Sequence, residues 1–189
     1  MKTKFILLLL LISGTCLSLT AQVTLNGVTL PAKLKQETTE LTLNGGGIRT
    51  KIFFKLYTAG LYIQAKSKNG NEIAAADKPT ALRLTITSGM VDSEKMSEAI
   101  REGFGKSMKG NTAPLKTQID NFVGTFQKEE IKEGDVYELW YFPGTGVKAF
   151  KNGKLQTTIA GLDFKKALFG IWLSDDPVDS DLKEGLLGL

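Results

Sequence analysis

Hydrophobic and polar positions alternate along much of this chain, and changes in their period predict the order of its elements. Short alternating runs come first, and "VTLNGVTLP" carries a hairpin signal at Asn26 and Gly27. "TTELTLNGGG" alternates up to three glycines, and "ALRLTITSG", which begins at Ala81, alternates up to another glycine. We therefore predict that the first half of the chain consists mainly of strands.

Helical spacing follows in two segments. Over about residues 93–108 apolar residues recur on one helical face, and Asp92 or Ser93 can cap the segment. Over about residues 114–126 apolar residues repeat at the same spacing. Strands are predicted again in "DVYELWYF", "GVKAF" and "KLQTTIA", and the last two are joined by an Asn-Gly hairpin signal.

The end of the chain predicts a helix over about residues 163–173 and a short helix after Pro177. Strands, two helices, a set of hairpins and further helices form an order that is typical of α+β proteins with a mostly antiparallel sheet. No low-complexity tract, repeat or linker divides residues 22–189, so we expect one domain there.

The stretch "GGGIRTKIFFKLYTAGLY", residues 45–62, combines charged residues with an apolar run. Taken as one strand over about residues 51–65, it is apolar on both faces, which predicts that both faces are covered. Arg49 has the same parity as Lys55 and Tyr57, so the three side chains are expected on one face. We expect the glycines before Arg49 to form a turn.

An arginine and a phenol on one apolar surface require a partner, because an unpaired buried guanidinium is very costly. A carboxylate side chain would make the pair structural. An anionic ligand with an apolar body would instead satisfy the charge and fill a cavity. The residues alone leave both partners open.

The first 21 residues differ in kind from the rest. Two lysines precede an apolar run over residues 5–12, and small residues follow up to Ala21, which is the pattern of a secretory signal peptide. We predict cleavage near Ala21 and an exported product, residues 22–189, that is periplasmic or secreted. Cys16 suggests a lipoprotein alternative, but the residues before it lack the leucine and the compact small residues of a lipidation site.

Composition excludes several kinds of chemistry. The chain has no histidine, and its one cysteine lies in the predicted signal peptide. Histidine-based catalytic triads and zinc sites built on imidazole or thiolate are therefore excluded from the exported product, and we expect no cofactor and no metal.

Without the two signal lysines, 22 basic residues stand against 20 acidic ones, a net charge of +2. The basic residues are scattered, so we expect no nucleic-acid partner, and no second apolar segment is long enough to span a membrane.

Some residues have ordinary structural explanations. The acidic cluster near the end of the chain lacks the spacing and the glycine of a calcium loop, so helix caps and first-turn acids explain it more simply. Its members are Asp175, Asp176, Asp179 and Asp181. Tyr62 is expected to be a packed tyrosine with a satisfied hydroxyl group. Trp172 can line a cleft, but aromatic residues in helices are usually core residues, so a core role is favoured.

Two segments carry a resemblance to a known family. "GGGIRTKIFFKLYTAGLYI" and "IWLSDDPVDSDLKEGLLG" resemble the chalcone isomerase-like family, in particular its secreted bacterial branch. The resemblance covers essentially all of residues 22–189. It implies an open-faced β-sandwich, in which a large antiparallel sheet is layered with helices and a ligand cleft lies between them. The family includes plant chalcone isomerases, non-catalytic fatty-acid-binding members and helper proteins without activity.

The resemblance also implies ligand-contacting positions. The family's arginine matches Arg49, and a residue that is threonine in the isomerases and tyrosine in the fatty-acid binders matches Tyr57. Asn121 matches an active-site asparagine of the plant enzymes. Their active-site tyrosine falls on Pro114, however, and their late-helix threonine or serine falls on Ile171. At these positions the chain is more similar to the fatty-acid binders.

We therefore expect a non-catalytic protein that binds a fatty acid or a similar apolar carboxylate, with Arg49, Tyr57 and Asn121 as ligand-binding residues. One alternative is an isomerase, an intramolecular lyase of chalcone-like phenolic enones. There Arg49 would stabilise an oxyanion, and Asn121 would assist together with Tyr57. A further alternative is a structural or partner-binding protein with a closed cleft and an internally paired Arg49.

Overall fold

The computed structural model describes residues 22–189, and the predicted signal peptide with Cys16 lies outside them. The strands of the described part are β1 (Val23–Leu25), β2 (Val28–Leu30), β3 (Lys33–Gln36), β4 (Thr39–Lys51), β5 (Phe54–Ile63), β6 (Thr80–Ile86), β7 (Val136–Phe142), β8 (Gly146–Lys151) and β9 (Lys154–Ile159). Its helices are α1 (Gly70–Ala75), α2 (Ser93–Ser107), α3 (Lys116–Gly124), α4 (Leu162–Leu173) and α5 (Ser180–Leu187). Short 3₁₀ turns, Ala113–Leu115 and Thr125–Gln127, flank α3.

Strands β3 to β9 form one antiparallel sheet in the order of the chain, and β1 pairs with β2 in a separate hairpin. Helix α1 connects β5 to β6, α2 and α3 connect β6 to β7, and α4 and α5 follow β9. This arrangement confirms the predicted α+β class, with a large antiparallel sheet layered with helices. No helix in residues 22–189 is long and apolar enough to cross a membrane.

Both faces of the sheet are covered. On one face, Leu61 of β5 belongs to a buried cluster that includes Phe104 of α2. On the other face, Tyr62 and Trp140 pack with Leu30 of the β1–β2 hairpin. Because consecutive residues of β5 enter different clusters, the prediction that this strand is covered on both sides is confirmed.

The hydroxyl group of Tyr62 was expected to be satisfied, and this expectation is wrong. The side chain is fully buried, and its oxygen has no hydrogen-bond partner in the described part of the chain. Burial raises the pKa of Tyr62, so the phenol stays neutral.

The three glycines before Arg49 lie inside strand β4, so the predicted turn is wrong. A Cβ atom on Gly45 would stand 2.3 Å from the backbone oxygen of Gly185 in α5. A Cβ on Gly185 would stand 2.6 Å from the backbone oxygen of Gly46, and one on Gly47 would stand 2.9 Å from Leu182 Cδ1. Glycine at these positions therefore lets α5 pack directly on the backbone of β4.

The turn lies a few residues later. Strands β4 and β5 are joined through Ile52 and Phe53, and Lys51 pairs with Phe54 across the turn. The predicted strand over residues 51–65 is therefore wrong at its start. Ile52 has a φ of 61°, a left-handed conformation that is unusual for a β-branched residue. The sequence lacks the glycine or asparagine that normally signals such a turn, so the pattern did not reveal it.

Helix α2 begins at Ser93 behind Asp92, whose side chain accepts a hydrogen bond from Lys95 N. The predicted start and cap of this helix are therefore confirmed. Helix α1 was not predicted. Lys165 of α4 links the two helices. Its side chain is fully buried, and Nζ donates to the backbone oxygens of Ile73 and Ala76. Burial lowers the pKa of Lys165 to about 8.

Candidate functional site

A cavity of about 310 Å³ lies between the sheet and the helices. The sheet contributes Leu84 and Leu139 to its walls, and the helical layer contributes Phe122, Phe126 and Ile171. Most of the lining side chains are apolar. A mainly apolar cavity of this size is at the lower end of the range of small-molecule sites.

Five charged residues also line the cavity: Arg49, Lys51, Lys95, Glu98 and Glu102. All of these except Arg49 are exposed, so they mark the mouth of the cavity. The side chain of Arg49 is only 20% exposed. Among the charged lining residues, Arg49 is therefore the one set within the wall.

Arg49 and Tyr57 lie opposite each other on the neighbouring strands β4 and β5. The prediction that they follow each other along one strand is wrong, because the turn at Ile52 and Phe53 separates them. Both side chains nevertheless line the same cavity. A register shift between Arg49 and Thr50 accompanies this pairing.

Asp179 holds the guanidinium group of Arg49 in place. Nη1 of Arg49 donates to Asp179 Oδ2 at 3.0 Å and to the backbone oxygen of Thr50 at 2.8 Å. Asp179 Oδ2 also accepts a hydrogen bond from Thr50 N at 3.1 Å. Its Oδ1 accepts one from Leu182 N at 3.0 Å, which caps the N-terminus of α5. One carboxylate therefore fixes both the helix and the arginine.

Only one side of the guanidinium group is used by this contact. An arginine has five N–H donors, and the two on Nη1 account for the bonds to Asp179 and Thr50. The N–H groups of Nε and Nη2 have no partner within residues 22–189. This edge of a guanidinium binds a carboxylate through two parallel hydrogen bonds.

The pKa of Asp179 reflects its partners. Burial alone would raise it, but hydrogen bonds from Leu182 N, Thr50 N and Arg49, together with the charge of Arg49, outweigh burial and hold the pKa below its usual value. Asp179 is therefore ionised at neutral pH. The interpretation of the acidic cluster as helix caps is confirmed for this residue. Residues 22–189 contain no cluster of three or more Asp, Glu, His or Cys side chains placed to hold a metal ion.

Tyr57 offers a second donor. Nε1 of Trp172 donates to the Tyr57 hydroxyl oxygen at 2.9 Å. An indole N–H can only donate, so the tyrosine oxygen accepts this bond and its own O–H group can still donate. Burial raises the pKa of Tyr57 to about 12, while the hydrogen bond from Trp172 and the charge of Arg49 oppose the rise. The hydroxyl group is therefore protonated at neutral pH.

The structure does not bring Asn121 to the cavity. It lies on the exposed side of α3 and is not part of the lining, whereas the next residue, Phe122, faces the cavity. Pro114, at the position of the isomerase tyrosine, is exposed in the 3₁₀ turn before α3. Ile171 lines the wall as an apolar residue. Of the three expected ligand-binding residues, Arg49 and Tyr57 therefore line the cavity and Asn121 does not.

Trp172 is a site residue for which the sequence analysis favoured a core role over a place in a cleft. It was expected to be a core residue, and it is buried, but it also lines the cavity and orients Tyr57. Its position on α4, 115 residues after Tyr57, gives no local sign of this contact.

Comparisons with known proteins agree with this architecture. The profile of a family described as chalcone isomerase-like matches residues 22–188. No curated protein matches the chain. Among solved structures, a fatty-acid binding protein of Arabidopsis thaliana is similar, with a TM-score of 0.74 and 16% sequence identity. The alignment covers 88% of this chain and 96% of the plant protein, and at this identity it shows a shared fold.

The lowered pKa of Asp179 predicts a pH-dependent contribution to stability. The ionised carboxylate stabilises the fold above about pH 4, and this contribution is lost as the pH falls through the lowered pKa of the folded state. We expect Asp179→Asn to lower the free energy of unfolding by about 1 to 2 kcal/mol at neutral pH, because asparagine can keep the helix cap but loses the charge. Urea unfolding measures this difference, which should shrink towards about pH 2.

The exposed Asp181, in the first turn of the same helix, supplies the matched control. Asp181→Asn removes the same charge without touching Arg49, so its effect should stay within about 0.5 kcal/mol. A loss for Asp179→Asn that is equal at acid and neutral pH would contradict the assigned role.

Proposed function

Since the chain belongs to the chalcone isomerase-like family, we propose that it binds a fatty acid or a similar apolar carboxylate in the cavity, without converting it chemically. One observation carries the proposal: Arg49, whose Nε and Nη2 have no partner within residues 22–189, and Tyr57, whose hydroxyl group can still donate, line the same apolar cavity. The similar plant structure, a fatty-acid binding protein, supports the same conclusion.

The head of the ligand would be held by three donors. The Nε and Nη2 groups of Arg49 would each donate to one carboxylate oxygen, and the Tyr57 hydroxyl would donate a third bond. Asp179 holds the guanidinium plane before the ligand arrives, so little side-chain entropy is lost on binding. The charge-assisted bonds would offset the desolvation of the carboxylate.

The body of the ligand would lie against the apolar walls. An apolar cavity of about 150 Å³ holds one benzene molecule, so about 310 Å³ would accommodate roughly twice as many carbon atoms. An acyl chain of about ten to twelve carbons would fill this space. Carbons beyond that length would emerge at the mouth, where Phe54 and Met90 are about half exposed.

The isomerase alternative and the structural alternative each agree with the structure only in part. Arg49 and Tyr57 could donate to an oxyanion, and this is the observation that favours an isomerase. That mechanism also relied on Asn121, which does not reach the cavity. The structural alternative required an internal partner for Arg49, and Asp179 is one. It also required a closed cleft, whereas an apolar cavity lies beside the pair.

The place of action is a separate proposal. The pattern of the first 21 residues suggests export to the periplasm or the medium, where an apolar carboxylate would have to be carried through water. N-terminal sequencing of the protein recovered from its natural host would show whether the chain begins near Gln22.

We expect Arg49→Gln to weaken binding of dodecanoic acid at least tenfold, because the charge-assisted hydrogen bonds to the carboxylate are lost. Tyr57→Phe should weaken it severalfold, because one hydrogen bond to the carboxylate, from an uncharged donor, is lost. Titration calorimetry on the folded variants measures both effects. Arg101→Gln is the matched control, since Arg101 is exposed and pairs with Asp120 outside the cavity. Unchanged affinity in Arg49→Gln would contradict the proposal.

Chain length supplies an independent prediction. Each buried methylene contributes about 0.8 kcal/mol, so affinity should rise roughly fourfold per carbon from hexanoic acid upwards. The rise should level off at about ten to twelve carbons, where the cavity is full. Competition against a fluorescent fatty acid measures the series. An affinity that does not depend on chain length would show that the apolar walls do not hold the ligand.

For chalcones we expect no catalysis. The cavity brings Arg49 and Tyr57 together without the asparagine and the isomerase tyrosine position. Absorbance measurements on a panel of 2'-hydroxychalcones should therefore show cyclisation at the spontaneous rate only. A rate that increases with protein concentration and falls in Arg49→Gln would instead establish the isomerase alternative.

A further inference from the structure

The turn between β4 and β5 exposes large apolar side chains at the mouth of the cavity. Phe53 is 90% exposed, Ile52 is 77% exposed and Phe54 is 50% exposed. Met90, in the loop before α2, is 45% exposed and lines the same mouth as Ile52 and Phe54. We call these four residues the apolar tip. A contiguous exposed apolar patch of this kind marks an interaction site.

The apolar tip is unfavourable to the isolated fold. Ile52 holds a left-handed φ of 61° at a position where glycine or asparagine would be less strained. The side chain of Phe53 is almost entirely in water, so it adds almost nothing to the core. Strain combined with exposed apolar surface indicates a contact made outside the chain.

Positive charge flanks the apolar tip. Lys51 and Lys55 stand on either side of the turn, are exposed and form no ion pair within the described residues. Lys95 lines the same mouth and pairs with Asp92. The acidic lining residues, Glu98 and Glu102, follow on α2 at about one and two turns beyond Lys95, so they lie further along that helix.

We propose that the apolar tip docks on an anionic phospholipid surface. Ile52 and Phe53 would enter the acyl region with Phe54, and the two flanking lysines would lie among the phosphate groups. Apolar side chains below a basic rim are the combination by which peripheral proteins bind such surfaces. A fluid bilayer accepts a narrow protruding turn, because it needs no preformed pocket.

A second copy of the chain fits this surface less well. A stable dimer buries about 800 Å² per partner, and a two-residue turn with its neighbours offers only a fraction of that area. A symmetric contact between two tips would also place the unpaired lysines of both copies against each other. The charge therefore favours an anionic partner over a copy of this chain.

Docking would place the mouth of the cavity against the membrane. This step rests on the proposed function: an apolar carboxylate could then pass between bilayer and cavity with little exposure to water. The docking itself requires no ligand. It can therefore be tested with vesicles and protein that are both free of fatty acid.

The experiment is co-sedimentation of the chain lacking its predicted signal peptide with vesicles. One set contains phosphatidylethanolamine and phosphatidylglycerol, and the other contains phosphatidylcholine alone. We expect sedimentation with the anionic set, weakened by added salt. The double variant Ile52→Asn/Phe53→Ser should lose at least tenfold in vesicle affinity. Lys51→Gln/Lys55→Gln should lose roughly fivefold per lysine on the anionic set and almost nothing on phosphatidylcholine.

Leu155→Ser is the matched control, because Leu155 is 49% exposed on β9 and lies outside the cavity lining. It should bind vesicles like the wild type. The tip substitutions should leave the fold intact, since asparagine tolerates the left-handed conformation and the Phe53 side chain is exposed. Urea unfolding checks this.

The proposal is overturned if the wild type does not sediment with anionic vesicles, or if the folded tip variant binds them as well as the wild type. It is also overturned if the wild type is a dimer in solution that the tip variant dissociates. Fatty-acid affinity in solution, measured on the same variants, is a separate result. If a protein that does not bind vesicles still binds fatty acid, the proposed function stands and only the membrane-docking proposal is rejected.

Discussion

The close contact between helix α5 and strand β4 determines what Arg49 can do. Gly45 and Gly47 on the strand and Gly185 on the helix remove the side chains that would keep the two backbones apart. The helix therefore lies against the strand, and its capping residue, Asp179, reaches Nη1 of Arg49. The ion pair orients the guanidinium group so that its other edge is left without a partner among residues 22–189.

This arrangement accounts for a charged residue in an apolar wall. A buried arginine without a partner would be very costly. A fully enclosed arginine–carboxylate pair, in turn, would leave no N–H group free to bind a ligand. Here Asp179 satisfies one side of Arg49, while Trp172 satisfies the oxygen of Tyr57 and leaves its O–H group able to donate. Two oriented donor groups in an apolar cavity suit a carboxylate with an apolar body.

Local sequence signals predicted what depends on local structure. The helical period and the cap at Asp92 located α2, and alternation along β5 indicated a strand covered on both sides. Residue type and parity singled out Arg49 and Tyr57, and the resemblance to the family implied that they contact a ligand. Contacts between distant parts of the chain leave no local signal in the sequence. Asp179, the partner of Arg49, lies 130 residues after it.

Two local rules also misled. Three consecutive glycines usually indicate a turn. Here Gly45 and Gly47 allow the close approach of a helix and Gly46 leaves room for Leu30, and no neighbouring residue signals these contacts. The real turn is built from Ile52 and Phe53, residue types that favour strands, so the strand pattern of the sequence continues through it. Asn121 matched a family position, yet its place on the exposed side of α3 was fixed by how that helix packs. Of these departures, only the turn at Ile52 and Phe53 lies at the mouth of the cavity.

The most direct test of the account is a crystal structure of the protein with dodecanoic acid. The measured quantity is the distance from the ligand carboxylate oxygens to Nε and Nη2 of Arg49. We predict a two-bond contact at about 2.8 Å, with the Tyr57 hydroxyl as a further donor and Asp179 still bound to Nη1. A carboxylate held instead by Lys51 or Lys95 at the mouth, with Arg49 bonded only to Asp179, would contradict the central claim.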